Sequence, residues 1–424
     1  MSASSETRHT PAVASHTSDG LAASHATPAS ATLVVFILSL LLGLQPVTTD
    51  LYLPALPALT EGFAASLSQA QLTLSALLLA FGVSQLAWGP LSDRFGRRPI
   101  LLWGMGAYVL ASVLSTLSTS MNGLILARII QGAAMGAAVM CARAIVRDLY
   151  RPTDGARVMS KSLTGLGVIA CCSAPLGGLL TAHLGWRATL LSLTVFGALT
   201  FLVVAFFFKE TLAQKNPKAL QLRTLWSTWR LIMANPTFWA FSTVSVASYG
   251  GLFTFLASSS FVFIKVLHLS LPEYGGVMFS VSFTYILGTF ACRRMLPRLG
   301  VQRALAIAGG FTLAGGTIML ALAWLGLHQG WAIMLPFYLY MLAHGVHQPC
   351  SQSGAVGPFP YAAGAASALN GFLMMLAAFG VGAWLSAHLD NTVMPLVWGI
   401  FFWSVLIALS AWTLVQKHGQ ATEH

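Results

Sequence analysis

The sequence predicts an all-α integral membrane protein with twelve transmembrane helices, and three observations predict it. Of 424 residues, 56% are hydrophobic and only 8% charged, with a mean hydropathy of +0.75. Soluble chains carry about 25% charged residues, so lipid rather than water must cover most of this surface. Second, twelve apolar runs each approach the roughly 20 residues that a bilayer core demands. Hydrocarbon offers the backbone no outside hydrogen-bond partner, so each run must be helical. The third observation is the placement of positive charge.

Taken in order, residues 1–30 are rich in Ser, Ala, Thr and His and predict a disordered tail, because they cannot bury enough surface to offset chain entropy. They do not read as a signal peptide, since the apolar run that follows lacks a small-residue cleavage pattern and is long enough to span. Spans are predicted at 32–55, 68–89, 99–119, 121–142, 162–183, 188–208, 236–262, 274–292, 304–325, 331–355, 361–387 and 392–414. Arg94, Arg97 and Arg98 fall between spans two and three, and Arg143, Arg147, Arg151, Arg157 and Lys161 around the four–five loop. Lys209, Lys215, Lys218, Arg223 and Arg230 fill the six–seven segment, and Arg293, Arg294, Arg298 and Arg303 the eight–nine loop. The intervening loops hold only Arg187 and Lys265. Such alternation predicts both termini in the cytoplasm and assigns the net charge of +11 to a membrane face, not to a nucleic-acid partner.

Residues 209–235 form the longest connection and divide the chain into a six-helix bundle at 31–208 and another at 236–414, with a second tail at 415–424. Asp93-Arg94-Phe95-Gly96 after span two corresponds to Pro297-Arg298-Leu299-Gly300 after span eight, an offset of 204 residues (297 less 93). A parallel duplication follows from this match and the shared topology. Cys141, Cys171, Cys172, Cys292 and Cys350 show no zinc or redox spacing and read as small packing residues.

The two–three loop reads Gly89-Pro90-Leu91-Ser92-Asp93-Arg94-Phe95-Gly96-Arg97-Arg98-Pro99. Gly89 permits close helix approach, Gly96 and Pro99 make a tight turn, and the remaining charges are placed to pair across the two halves. This loop resembles the cytoplasmic motif of the major facilitator superfamily. Leu126-Ala127-Arg128-Ile129-Ile130-Gln131-Gly132 resembles the family's fourth-helix motif, and Ser173-Ala174-Pro175-Leu176-Gly177-Gly178 its fifth-helix antiporter motif, with Ala174 standing where glycine is usual. Gly185-Trp186-Arg187 and Glu210-Thr211-Leu212 also suit drug exporters of this family. Thr49-Asp50-Leu51-Tyr52-Leu53-Pro54-Ala55-Leu56-Pro57 and Arg143-Ala144-Ile145-Val146-Arg147-Asp148-Leu149-Tyr150 resemble the Bcr/CflA branch of bicyclomycin and chloramphenicol exporters. The resemblance implies two six-helix bundles related by a pseudo-two-fold axis, working as a monomer in the bacterial inner membrane. It further implies proton-coupled export of small hydrophobic or amphipathic drugs, with Gly89, Asp93, Arg94, Gly96, Arg97, Arg98, Pro175, Gly177 and Gly178 gating the conformational change.

Elimination narrows the coupling chemistry. Of eleven acids, Glu6, Asp19 and Glu423 are in tails, and Asp93, Asp148, Asp154 and Glu210 at cytoplasmic edges. Glu61, Glu273 and Asp390 are in outer loops, which leaves Asp50 in or near the hydrocarbon. Among basic residues only Arg128 lies well within a span. Intramembrane charges are costly, which favours a functional, paired reading for both. Two alternatives stand beside it: span one ends at Thr48 and Asp50 is solvated, or Arg128 only bonds neighbouring helices. Gln45, Thr49, Gln131, Tyr249, Tyr285, Tyr338, His344, His347, Gln348 and Asn370 are further candidates to line a substrate cavity, or else to bond neighbouring helices. His344 and His347, three apart on span ten, are candidates for a second proton group, less so for a metal site.

No nucleophile–base pair, metal cluster or nucleotide loop appears, so neither enzyme chemistry nor a cofactor is predicted, and the partners are a small-molecule substrate, protons and lipid. A transporter of a native metabolite, such as an amino acid or small organic acid, fits the same residues.

Overall fold

A computed structural model of the chain describes residues 31–150, 152–217, 219–388 and 392–419. The predicted tail at 1–30, the loop residues Arg151, Lys218 and Asp390, and residues 420–424 lie outside the described residues. The first six spans are Ala31–Asp50, Leu67–Phe95, Arg97–Thr116, Met121–Leu149, Pro152–Leu184 and Trp186–Phe207. The seventh is Pro236–Ser260, and the eighth and ninth form one element, Leu271–Trp324, broken at Gly300 (φ 70°). Gly330–Val356, Ala363–His388 and Met394–Trp412 complete the twelve. The tenth carries His344, His347, Gln348 and two prolines, Pro336 and Pro349.

Helix ends depart from the apolar runs for a simple reason: helices continue past the hydrocarbon wherever polar residues can reach water. The fifth begins at Pro152, ten residues before the predicted 162, and that extra length carries Asp154, Arg157 and Lys161. The first helix stops at Asp50, short of the predicted 55. Pro46 removes one of its amide donors, and the chain then turns through a 3₁₀ segment, Leu53–Ala55, into a short helix, Leu56–Gly62. The 209–235 linker also contains an unpredicted helix, Leu222–Met233. The predicted tail from 415 is partly structured: Leu414–His418 is a short helix, and the Val415 carbonyl accepts from Gln302 Nε2 at 3.2 Å.

The duplication is visible residue by residue. Ser66 caps the second helix in a capping box with Gln69, and Ser270 caps the eighth in one with Glu273, both at the offset of 204. Gly96 and Gly300, again 204 apart, turn the chain with φ of 109° and 70°. Gln45 Nε2 donates to Tyr249 Oη at 3.4 Å, a separation of 204 residues. Lys265 pairs with Glu61 at the same separation. A residue that touches its own repeat mate must sit beside the two-fold axis, so these two pairs mark the axis in the structure.

The halves meet at both ends of the bundle. At the end bearing the basic loops, Arg143 Nη1 donates to Ser367 Oγ at 2.8 Å, and Arg293 Nη2 approaches Ser160 Oγ at 3.5 Å. At the opposite end, besides Glu61–Lys265, the Gln71 side chain donates to the Ala257 carbonyl. There, too, the fifth and eighth helices touch through glycine: a Cβ on Gly178 would lie 2.6 Å from the Leu271 carbonyl oxygen, and one on Gly275 would lie 2.8 Å from Pro175 Cα. This is an occluded arrangement.

Candidate functional site

Asp50 sits where the first helix ends, half-buried, on a span that continues to Gly62. Thr48 and Thr49 donate their hydroxyls back to the carbonyls of Leu44 and Gln45, and Thr49 also lies 2.8 Å from Asp50 Oδ1. Gln45, whose carbonyl accepts from Thr49, donates in turn to Tyr249 Oη of the second half. Gln45, Thr49 and Tyr249, three of the residues predicted for the cavity, are therefore joined at the end of the first helix that carries Asp50.

Arg128 is fully buried and holds a separate cluster. Its Nη1 donates to Gln131 Oε1 at 2.6 Å and its Nη2 to the Thr48 carbonyl at 2.9 Å. The guanidinium lies 4.1 Å from the centre of the Tyr52 ring, and Nε–H is buried without a partner. Gln131 passes the network on to Ser112 Oγ at 2.6 Å, while Thr48 Oγ1 and Tyr108 Oη lie 2.7 Å apart. None of the ion pairs among the described residues includes Arg128. The expected Asp50–Arg128 pair is thus not formed in this conformation. The two are linked through the backbone instead, since the arginine grips a carbonyl two residues before the acid.

Other predicted residues lie elsewhere. Gln131 is buried between the third and fourth spans as a support for Arg128. Tyr338 Oη lies 2.8 Å from Ser280 Oγ, between the eighth and tenth spans. On the seventh and tenth spans, Ser248 Oγ meets His344 Nδ1 at 2.8 Å and His347 Nδ1 at 3.5 Å, and the Tyr285 ring packs 5.5 Å from His344. Asn370 Nδ2 donates to Ser245 Oγ at 3.2 Å. Among the described residues no group of three metal-ligating side chains forms around these histidines.

The two–three loop differs from expectation in its partners. Arg97, 2% exposed, bonds Asp93 Oδ1 (2.6 Å), Ser92 Oγ (2.6 Å) and Asp148 Oδ2 (2.8 Å). Glu210 accepts from the backbone N–H of Arg97 and Arg98 at 2.9 and 3.1 Å, where a carboxylate complements the helix dipole. Arg98 donates in return to the carbonyls of Phe208 and Ala205, at the end of the sixth helix. Every one of these contacts lies within the first half and the start of the linker, so the charges clamp the helices of one half and do not pair across the halves. Arg94 rests on the Phe95 ring. Gly89 has only Met140 near the Cβ position, at 3.6 Å, whereas on the fifth helix a Cβ at Gly177 would strike the Leu51 carbonyl oxygen.

Sequence reasoning missed Tyr52, Tyr108 and Thr48 as the setting of Arg128, and Asp148 and Glu210 as members of the clamp. Tyr52 lies in the Asp50 motif and was within reach of notice. For Tyr108 no local signal exists.

The Major Facilitator Superfamily profile matches residues 35–383. Multidrug resistance protein D of Escherichia coli (strain K12) is 30% identical over 366 residues, covering 85% of this chain and 89% of that protein. A chloramphenicol resistance protein of Pseudomonas aeruginosa is 27% identical over 379 residues, covering 88% and 89%. A bicyclomycin resistance protein homolog of Haemophilus influenzae is 26% identical over 387 residues, covering 91% and 97%. Among solved structures, that of a D-xylose-proton symporter superposes with a TM-score of 0.72 at 17% identity, covering 92% of this chain and 99% of that one, which shows a common fold. Twelve spans, the repeat and these matches agree: the chain is a multi-pass membrane transporter, not an enzyme, and belongs to the Major Facilitator Superfamily, within which it matches the Bcr/CflA-type branch.

Proposed function

We propose that this transporter exports small hydrophobic or amphipathic drugs from the bacterial cytoplasm in exchange for protons, by alternating access, as a monomer in the inner membrane. In this reading the basic end of the bundle, with both termini, faces the cytoplasm. The observation that carries it is Asp50, the carboxylate inside a span, at the break of the first helix and bonded to Thr49, beside the Gln45–Tyr249 contact between the halves. Protonation makes Asp50 neutral when the site faces outward. Facing inward, the acid releases its proton and a substrate loads beside it, so only one of the two is carried each way. Gln45, Thr49, Tyr249, Tyr285, His344, His347 and Asn370 offer polar contacts on both halves, while Gln131 holds Arg128 and Tyr338 stands further out. The clamp of Asp93, Arg97, Arg98 and Glu210, with Gly89, Arg94 and Gly96, keeps the first half rigid as it rocks. Pro175, Gly177 and Gly178 let the opposite face close.

A second reading, transport of a native metabolite such as an amino acid or small organic acid, gains support from Arg128. A buried guanidinium without a carboxylate partner is what an anionic substrate group would seek. Expression in an efflux-deficient bacterium, challenged with an antibiotic panel that includes bicyclomycin and chloramphenicol, separates the two. Raised resistance to panel members supports drug export; unchanged resistance to all of them rejects it.

A further inference from the structure

The linker helix Leu222–Met233 carries chemistry that a connector between two bundles does not need. At about 100° per residue, Leu225 and Ile232 fall on one side, and Ile232 is fully buried with Phe238, Phe359, Leu369 and Val415 of the second half. Next round the helix come Trp226, 69% exposed, and Met233, 45% exposed. Beside them stand the exposed Arg223 and Arg230, two turns and about 10 Å apart on one face. Neither arginine enters an ion pair among the described residues. Glu210 is the one acid in the linker sequence, and its carboxylate is taken by the backbone of Arg97 and Arg98.

The position of the helix limits what can cover this face. Only Ala234 and Asn235 separate it from the seventh span, and Asn235 Oδ1 caps that span by accepting from Thr237 and Phe238. The helix therefore lies within about a turn of the bilayer surface, fixed to the second half by Ile232. An exposed indole and thioether flanked by two unpaired guanidiniums is the pattern of an interfacial helix, apolar groups in the headgroup layer and cations on phosphates.

We propose that Leu222–Met233 docks on the bilayer surface by binding anionic phospholipid headgroups, with Arg223 and Arg230 on the phosphates and Trp226 and Met233 inserted beside them. This docking holds the second half at a fixed depth while the first half, tied to the start of the linker where Asn216 N donates to the Asp93 carbonyl at 2.9 Å, moves against it. The proposal stands apart from the identity of the substrate and from which face is cytoplasmic.

The test is amide hydrogen exchange of the full chain in nanodiscs of phosphatidylcholine, with and without phosphatidylglycerol as about one lipid in three. Both leaflets of a disc have the same composition, so orientation does not enter. Phosphatidylglycerol is expected to slow exchange in 222–233, by up to roughly 30-fold for two basic groups at an anionic surface, and to leave the short helix Leu414–His418 unchanged. R223Q/R230Q should lose that slowing while matching the parent in phosphatidylcholine alone, which shows the helix still folded. Equal exchange in both lipids overturns the proposal, as does slowing that survives in the double variant. Slowing produced by inorganic phosphate in phosphatidylcholine discs also overturns it, since the ligand is then free phosphate.

Discussion

Replacing Gly178 by alanine should open the face at which the fifth and eighth helices meet. The added Cβ would lie 2.6 Å from the Leu271 carbonyl oxygen, against an ordinary contact limit of 3.4 Å, so the helices must part by about 0.8 Å or strain locally. Overpacking of this kind costs about 1–3 kcal/mol, and the cost falls only on the state in which Leu271 covers Gly178. At 1.4 kcal/mol per decade, the closed face loses roughly 5- to 150-fold in population relative to the open one. Ser75 reports on it: the residue is buried between the halves against Gly382, so a thiol there is shielded while the face is closed. In a background without the five native cysteines, Ser75→Cys is alkylated at a rate set by the open fraction. Gly178→Ala should raise that rate by the same factor, roughly 5- to 150-fold. Gly276→Ala, on the facing helix with nothing within 4 Å of its Cβ position, should leave it nearly unchanged. An unchanged rate in Gly178→Ala, or an equal rise in Gly276→Ala, would refute the argument that backbone contact at Gly178 closes this face.

Three further outcomes are expected. Asp50→Asn should abolish proton-driven transport while the protein still inserts in the membrane; full transport with a normal response to the pH gradient in everted vesicles would remove Asp50 from the coupling step. Arg97→Ala should destabilise the first half by about 2–4 kcal/mol, because it strands Asp148, 12% exposed, more than Asp93, which at 42% exposed is largely screened by solvent. Thermal unfolding in detergent checks this, and an unshifted midpoint counts against the clamp. Ser66→Ala and Ser270→Ala, which remove equivalent capping boxes, should each cost about 1 kcal/mol; hydrogen exchange in the first turns of the two helices should rise by similar factors, and a large disparity would separate the repeats energetically.

The helix count was legible because lipid leaves so few choices: any run long and apolar enough must be a helix, and loop charges then order the runs. Helix ends were less legible where water takes over. The extension of the fifth helix back to Pro152 carries acids and bases, so hydropathy hides it, and the linker helix is amphipathic and equally silent. At the site, elimination isolated Asp50 and Arg128 because ionisable groups inside spans are rare. What elimination cannot give is direction. Arg128 turns toward Tyr52, Thr48 and Gln131, whereas Asp50 bonds Thr49, a difference set by how helices rotate against each other and not by depth in the membrane. The same limit explains the loop charges. Arg97 finds Asp148, 51 residues away at the end of another helix of its own half, a pairing that no local pattern specifies.

A symmetric scaffold with asymmetric chemistry is what the offset of 204 residues reveals. Caps and turns repeat: Ser66 with Ser270, and Gly96 with Gly300. Asp50 and Arg128 do not, for Thr254 and Ala332 stand at their equivalents. The axis pairs Gln45–Tyr249 and Glu61–Lys265 bracket Asp50 in the chain, so the acid lies close to the line about which the halves rock. Near such an axis displacement is small and rotation still exchanges the side that is open. In the proposed mechanism one carboxylate therefore meets both halves, and each side of the membrane in turn, without a counterpart in the second repeat. Duplicating it would place two acids beside the axis and raise the cost of burying either charge. In the proposed exchange the two-fold frame supplies the motion, and Asp50, which the repeat does not duplicate, supplies the site at which a proton and a substrate exclude one another.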